Sequence, residues 1–181
     1  MSWSSAVVDG QPATWEQYLA LPEDPRVEFI DGQLRVRRPQ ASRRHQEVAL
    51  ALTTGVAAAL PPGHDVTLAW AWKAGDDEFI PDVMVHSVTD EDARFTGVPA
   101  LVAEVLSEEA GEDLALHLVK YAAAGLPHLW VVNAAARTID VFRLVPGGYR
   151  LVTHLAAAAC REPVDLAFGV ATAKLNLPTL L

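Results

Sequence analysis

The run Pro99-Ala100-Leu101-Val102-Ala103-Glu104-Val105-Leu106 constrains this chain more than any other segment. A strand this apolar, without in/out alternation, reads as buried on both faces. Such a strand needs a layer on each side, so it belongs inside a sheet flanked by helices or by further strands. The one charge within it, Glu104, must then be protonated, paired with a base or bound to a metal, because an unpaired buried carboxylate costs on the order of several kcal/mol. Asp82 raises the same question in Ile80-Pro81-Asp82-Val83-Met84-Val85. Pro81 has no backbone donor, which favours an edge, a strand start or a bulge and aims Asp82 outward at a strand end. Two carboxylates on neighbouring strands, with a backbone carbonyl and waters, suit Mg²⁺, which takes hard oxygen ligands. A salt bridge or a cap at each position is the other reading.

The surrounding signals fit that central strand. Asp31-Gly32 between Val27–Ile30 and Gln33–Val36 marks a tight hairpin near the N-terminus. Ser42 can cap a helix to about Leu60, ended by Pro61-Pro62-Gly63. Strands are expected at about 65–72, 78–86 and 100–106, then a helix at about 112–124 closed by Gly125 and Pro127. Three further strands follow, the last two joined by Pro146-Gly147-Gly148; beyond about 160 a strand or extended segment is expected. The fold class is therefore α/β in the α+β sense: a mixed sheet flanked by helices, with N-terminal and C-terminal β-hairpins.

At 181 residues and 51% hydrophobic, the chain has the length and apolar content of one domain spanning 1–181. The single Cys160 excludes a disulfide framework and a cysteine-rich zinc site. The first ten residues lack the pattern of a signal peptide, and no apolar run approaches a membrane span, so a cytoplasmic protein without membrane contact is expected. There is no G-x-x-x-x-G-K, G-x-G-x-x-G, G-x-S-x-G or H-E-x-x-H, which argues against nucleotide-dependent transfer, Rossmann oxidoreductases, common serine hydrolases and zincins. The formal charge of −9 argues against strong nonspecific nucleic-acid binding, yet five of the eleven arginines, Arg35, Arg37, Arg38, Arg43 and Arg44, lie within ten residues. Such a cluster can make a local basic patch on an acidic protein, or a solvated surface group.

Three more positions stand out. Glu28 alternates with Val27 and Phe29, which puts it on the opposite strand face, either solvated or turned to a site. His45, one turn into the long helix, shares a face with Val48, Leu52 and Val56, either as a packing residue or as part of a site. On the second helix Asp113, His117 and Lys120 fall within about 60° of each other on an otherwise apolar surface, either a wet stripe or a face toward a polar site.

Together these stretches resemble the Uma-two family of restriction-endonuclease-like proteins, within the PD-(D/E)xK nuclease superfamily. The resemblance runs over roughly residues 14–153. It rests on Glu28-Phe29-Ile30-Asp31-Gly32, His45, Pro81-Asp82-Val83, Glu104-Val105-Leu106-Ser107, Asp113, Tyr121-Ala122, Gly125-Leu126-Pro127-His128-Leu129-Trp130 and the hairpin from Arg137 to Tyr149. The resemblance implies Asp82 and Glu104 as metal ligands, Glu28 as the third acid and His45 as a further site residue, in Mg²⁺- or Mn²⁺-assisted phosphodiester hydrolysis. The superfamily lysine would fall on Leu106; the family resembles one that moves it four residues past the aspartate matched by Asp113, which here is His117. Asn133 stands where an aspartate often follows the Trp-containing strand.

The leading expectation is a metal-dependent endonuclease acting on DNA, a homodimer by analogy with duplex cutting. Asp82 and Glu104 would be its metal ligands, with Glu28, His45, His117 and Lys120 around them and Arg37, Arg38, Arg43 and Arg44 lining the approach to DNA. Lys120 rather than His117 is expected to supply the cation, because lysine stays charged at neutral pH and its stem can span part of a helical turn. The alternatives are a catalytically impaired relative that binds DNA or protein, and an unrelated small-molecule site in the same carboxylate cleft.

Overall fold

The structure, a computed structural model, describes residues 7–22, 26–37, 42–106 and 111–181, with the backbone alone at 111–113. It begins with a short strand β1 (Gln11–Pro12) and a helix α1 (Trp15–Leu19) capped by Thr14, whose side chain accepts from the Gln17 amide. Next come β2 (Val27–Ile30) and β3 (Gln33–Val36). Asp31 and Gly32 between them both take positive φ, 52° and 70°, as a type I′ turn requires. That two-residue turn sets the register, with Glu28 opposite Arg35 and Val27 opposite Val36.

Ser42 caps α2 (Arg43–Ala57) by accepting from the His45 amide. The two strands expected over 65–72 and 78–86 are each divided, into β4 (His64–Leu68), β5 (Trp72–Ala74), β6 (Asp77–Phe79) and β7 (Val83–Ser87). Ala69 at φ 50° breaks the first, and Pro81, without an amide hydrogen, lies in the break of the second. The hairpin β5–β6 thereby leaves the main sheet and pairs with β2 through Phe29 and Glu78. The remaining elements are β8 (Leu101–Leu106), α3 (Gly111–Ala123), β9 (His128–Asn133), β10 (Thr138–Val145), β11 (Gly148–Ala156), β12 (Val164–Ala167), β13 (Thr172–Leu175) and α4 (Leu177–Leu180).

A six-stranded sheet runs β11-β10-β9-β8-β7-β4, a five-stranded sheet β1-β3-β2-β6-β5, and β12 and β13 form a third, two-stranded sheet. In the six-stranded sheet β8 and β9 are parallel, joined by the α3 crossover, and the other neighbours are antiparallel. The apolar run around Glu104 is thus a central strand with both faces covered. Leu101, Ala103 and Val105 pack in the core beneath α2 and the C-terminal segment, with Val48, Leu52, Leu166, Phe168 and Leu175. Val102 faces the other way, into a core with Tyr121 and Leu126, Ile30, Trp72 and Phe79. Gly55 lets β13 close on α2; a methyl group there would meet Leu175 Cδ2 at 2.5 Å. Among the described residues no helix is long and apolar enough to cross a membrane.

Candidate active site

Alternation along β8 puts Glu104 on the side of Val102, toward α3, where Tyr121 donates its hydroxyl to Glu104 Oε1 at 2.7 Å. Asp82 immediately precedes β7, the antiparallel neighbour of β8, and its Oδ2 accepts from the Val105 amide at 2.8 Å. Glu28 turns away from Val27 and Phe29, which pack beneath Trp15 and Tyr18. Only 2% exposed, it accepts from the Ile80 amide at 2.8 Å through Oε1 and meets His117 Nε2 at 2.9 Å through Oε2. Elements distant in sequence thus bring together the three acids expected from Glu28, Asp82 and Glu104.

The cations were harder to foresee. Arg37, expected on the approach to DNA, instead reaches all three acids. Its Nη1 lies 3.3 Å from Glu28 Oε1, and its Nη2 lies 3.2 Å from both Asp82 Oδ1 and Glu104 Oε2. Nη1 also donates to the Ile80 carbonyl. The hairpin register carries the signal that places it: Glu28 faces Arg35, and the residue two beyond Arg35 returns to the same strand face. His45 lies beside the acids, its Nε2 3.3 Å from Asp82 Oδ1.

Lys120 does not join this group, contrary to expectation. Its ammonium pairs with Asp31 and, at 3.0 Å, with Asp77, both at the ends of hairpin strands. His117, whose position resembles that of the family lysine, is the α3 residue that reaches the acids. Tyr121 was absent from the expected site residues, although its place four residues beyond His117 puts it on the same helix face. The two rings stack 5.1 Å apart and nearly parallel.

Of the other arginines, Arg43 is 91% exposed beside Glu47, whereas Arg44 donates to the Leu181 carbonyl and is tied to the C-terminal end. Arg38 and Ser107 lie outside the described residues, as does the side chain of Asp113.

Burial and charge set the protonation states. Burial raises the pKa of Glu28, but the charges of His117 and Arg37 outweigh it and hold the group at about 2. For His117 burial favours the neutral ring, and the Glu28 carboxylate outweighs that and raises its pKa. The hydrogen bond that His45 donates to the Asp82 carboxylate raises the pKa of His45. Burial raises Glu104 and the neighbouring Asp82 charge adds to it, against the pull of Arg37. Asp82 itself is lowered, because His45 and Arg37 overcome its burial. The two carboxyls are thus pushed in opposite directions, Asp82 toward the ionised form and Glu104 toward the protonated one.

Among the described residues, no three His, Cys, Asp or Glu side chains are arranged to hold a metal ion. The donor chemistry nonetheless suits a hard cation, since two carboxylate oxygens from neighbouring strands converge on one point. In this arrangement that point is Arg37 Nη2.

A family model described as "Uma2: Putative restriction endonuclease" matches residues 15–172. No curated protein matches the chain. The crystal structure of "a putative nuclease belonging to DUF820" from Anabaena variabilis ATCC 29413 superposes with a TM-score of 0.76 at 18% identity, covering 94% of this chain and all of that one. At that identity the likeness establishes the shared fold.

Proposed function

The chain belongs to the Uma2 family of restriction-endonuclease-like proteins, and on that premise we propose that it hydrolyses DNA phosphodiester bonds with a divalent metal ion, Mg²⁺ or Mn²⁺, at the Asp82–Glu104 cluster. The observation that carries this reading is the convergence of Asp82 Oδ1 and Glu104 Oε2, each 3.2 Å from a single positively charged nitrogen. Asp82 and Glu104 would hold the ion, which when bound polarises a phosphoryl oxygen, helps ionise a water and offsets charge on the leaving oxygen.

The chain's own residues prepare that site. The Val105 amide and the Tyr121 hydroxyl each take one oxygen of a carboxylate, leaving Asp82 Oδ1 and Glu104 Oε2 to face the common point. Glu28 and His117 pair beside it, and His45, whose pKa the Asp82 hydrogen bond raises, lies next to Asp82. Exposed Arg43 offers a phosphate contact outside the cluster. Two copies of the chain would serve the two strands of a duplex.

Plasmid nicking in Mg²⁺ or Mn²⁺ tests the reading. Asp82→Asn and Glu104→Gln should each lower the rate roughly a hundredfold or more, as loss of several kcal/mol of charge stabilisation implies. A second reading, a DNA-binding module without cleavage, is favoured by Arg37 at the convergence point and by His117 in place of a lysine. Metal-independent DNA binding without nicking, unchanged in Asp82→Asn, would select it over the first.

A further inference from the structure

We propose that Arg37 is a built-in counter-cation that competes with a divalent metal ion for Asp82 and Glu104, so that the metal binds only when the guanidinium leaves. The proposal rests on reading this cluster as the metal centre. Every carboxylate oxygen in it already has a partner in the protein. Asp82 Oδ2 takes the Val105 amide, Glu104 Oε1 the Tyr121 hydroxyl, and Glu28 Oε1 and Oε2 the Ile80 amide and His117. The two oxygens left to face a common point, Asp82 Oδ1 and Glu104 Oε2, both face Arg37 Nη2 at 3.2 Å. An ion ligated by these two oxygens would occupy the position of that nitrogen. Two positive centres cannot share it.

The exposures set Arg37 apart from the acids. The Glu28, Glu104 and Asp82 side chains are 2%, 5% and 11% exposed, and Arg37 is 23% exposed. Arg37 is therefore the most exposed of these four side chains, and its guanidinium is the group that a metal ion would have to displace. While in place it balances three buried acids, a role that neither histidine can fill, because His45 meets Asp82 alone and His117 meets Glu28 alone. Apparent metal affinity is then the intrinsic affinity scaled by the fraction of molecules with Arg37 withdrawn. Removing the side chain vacates the position and leaves excess negative charge, both of which favour a dication.

Mn²⁺ titration of the metal-free protein, by calorimetry and by thermal unfolding, tests this in wild type, Arg37→Met and Arg37→Lys. Arg37→Met should unfold at a lower temperature without metal, bind Mn²⁺ at least tenfold more tightly than wild type, and regain melting temperature as Mn²⁺ rises. Arg37→Lys keeps one charge, but its single ammonium cannot span the three acids, so it should show a smaller gain. Because it retains a counter-charge, it carries the test if Arg37→Met does not fold. The gain should vanish when Asp82→Asn is added. Equal or weaker Mn²⁺ binding in both Arg37 variants would overturn the proposal. Neither readout needs cleavage, so the two readings can fail separately. Tighter Mn²⁺ binding with no nicking in any variant leaves the counter-cation standing and removes the nuclease. Metal-dependent nicking by wild type with no gain at Arg37 does the reverse.

Discussion

Two ion pairs leave the same side of α3 less than one turn apart. His117 points into a cluster where Glu28 is 2% exposed and also accepts from the Ile80 amide. Lys120 reaches Asp77 and an Asp31 whose side chain is 63% exposed. On sequence grounds lysine is the better permanent cation. What separates the two is where their carboxylates lie: β2 turns Glu28 inward, whereas Asp31 belongs to the turn that ends that strand. A charge is effective in this protein where the backbone has desolvated its partner, and residue type decides less than strand face.

Breaking the buried pair should have the largest effect. His117→Leu leaves Glu28 with Arg37 and one amide, and should cost about 3 kcal/mol, near the low end for removing one partner of a buried pair. Its pH dependence sharpens the contrast. His117 is raised in the folded protein, so its contribution is full below the ordinary histidine value of 6.5 and is lost as pH rises through the raised value. Glu28 is depressed to about 2, so its contribution is full above the ordinary value of 4.5 and is lost as pH falls through about 2. Urea unfolding of wild type and His117→Leu should therefore differ most between pH 4.5 and 6.5, with the gap narrowing above it. A gap that widens with pH would mean that the ring is neutral in the fold.

Tyr121→Phe is the next largest. It removes the donor to Glu104 Oε1 while keeping the ring that stacks on His117, and should cost about 1–3 kcal/mol for a buried acceptor left unmet. Equal urea midpoints in the two proteins would show that water replaces the hydroxyl. Lys120→Met should be the smallest. Its pair with Asp31 is near the surface, so the change should stay within about 1 kcal/mol and shrink further with added salt. A loss as large as that of His117→Leu would erase the distinction between the two ends of the turn.

Much of the fold was legible because it rests on local signals. The two-residue turn at Asp31-Gly32 set the hairpin register, and the unbroken apolar run around Glu104 required cover on both faces. The expected strands over 65–72 and 78–86 failed for a local reason as well. Ala69 and Pro81 interrupt them, but only pairing with β2 shows that β5 and β6 belong to another sheet. The C-terminal segment gave weak signals on its own, since short strands such as β12 and β13 are held by burying Leu166 and Leu175 in the core that α2 also lines.

The site divides along the same line. By itself the sequence determined that Glu28, Asp82 and Glu104 are acids in apolar strand contexts and that His117 and Tyr121 share a helix face, because strand alternation and helical spacing act over a few residues. Which cation meets which acid was decided only by the tertiary structure. Arg37 and Glu104 are 67 residues apart, and Glu28 and His117 are 89 apart. No local periodicity relates such pairs; the stacking of two sheets against α3 sets those distances, and burial then determines which of the contacts matter.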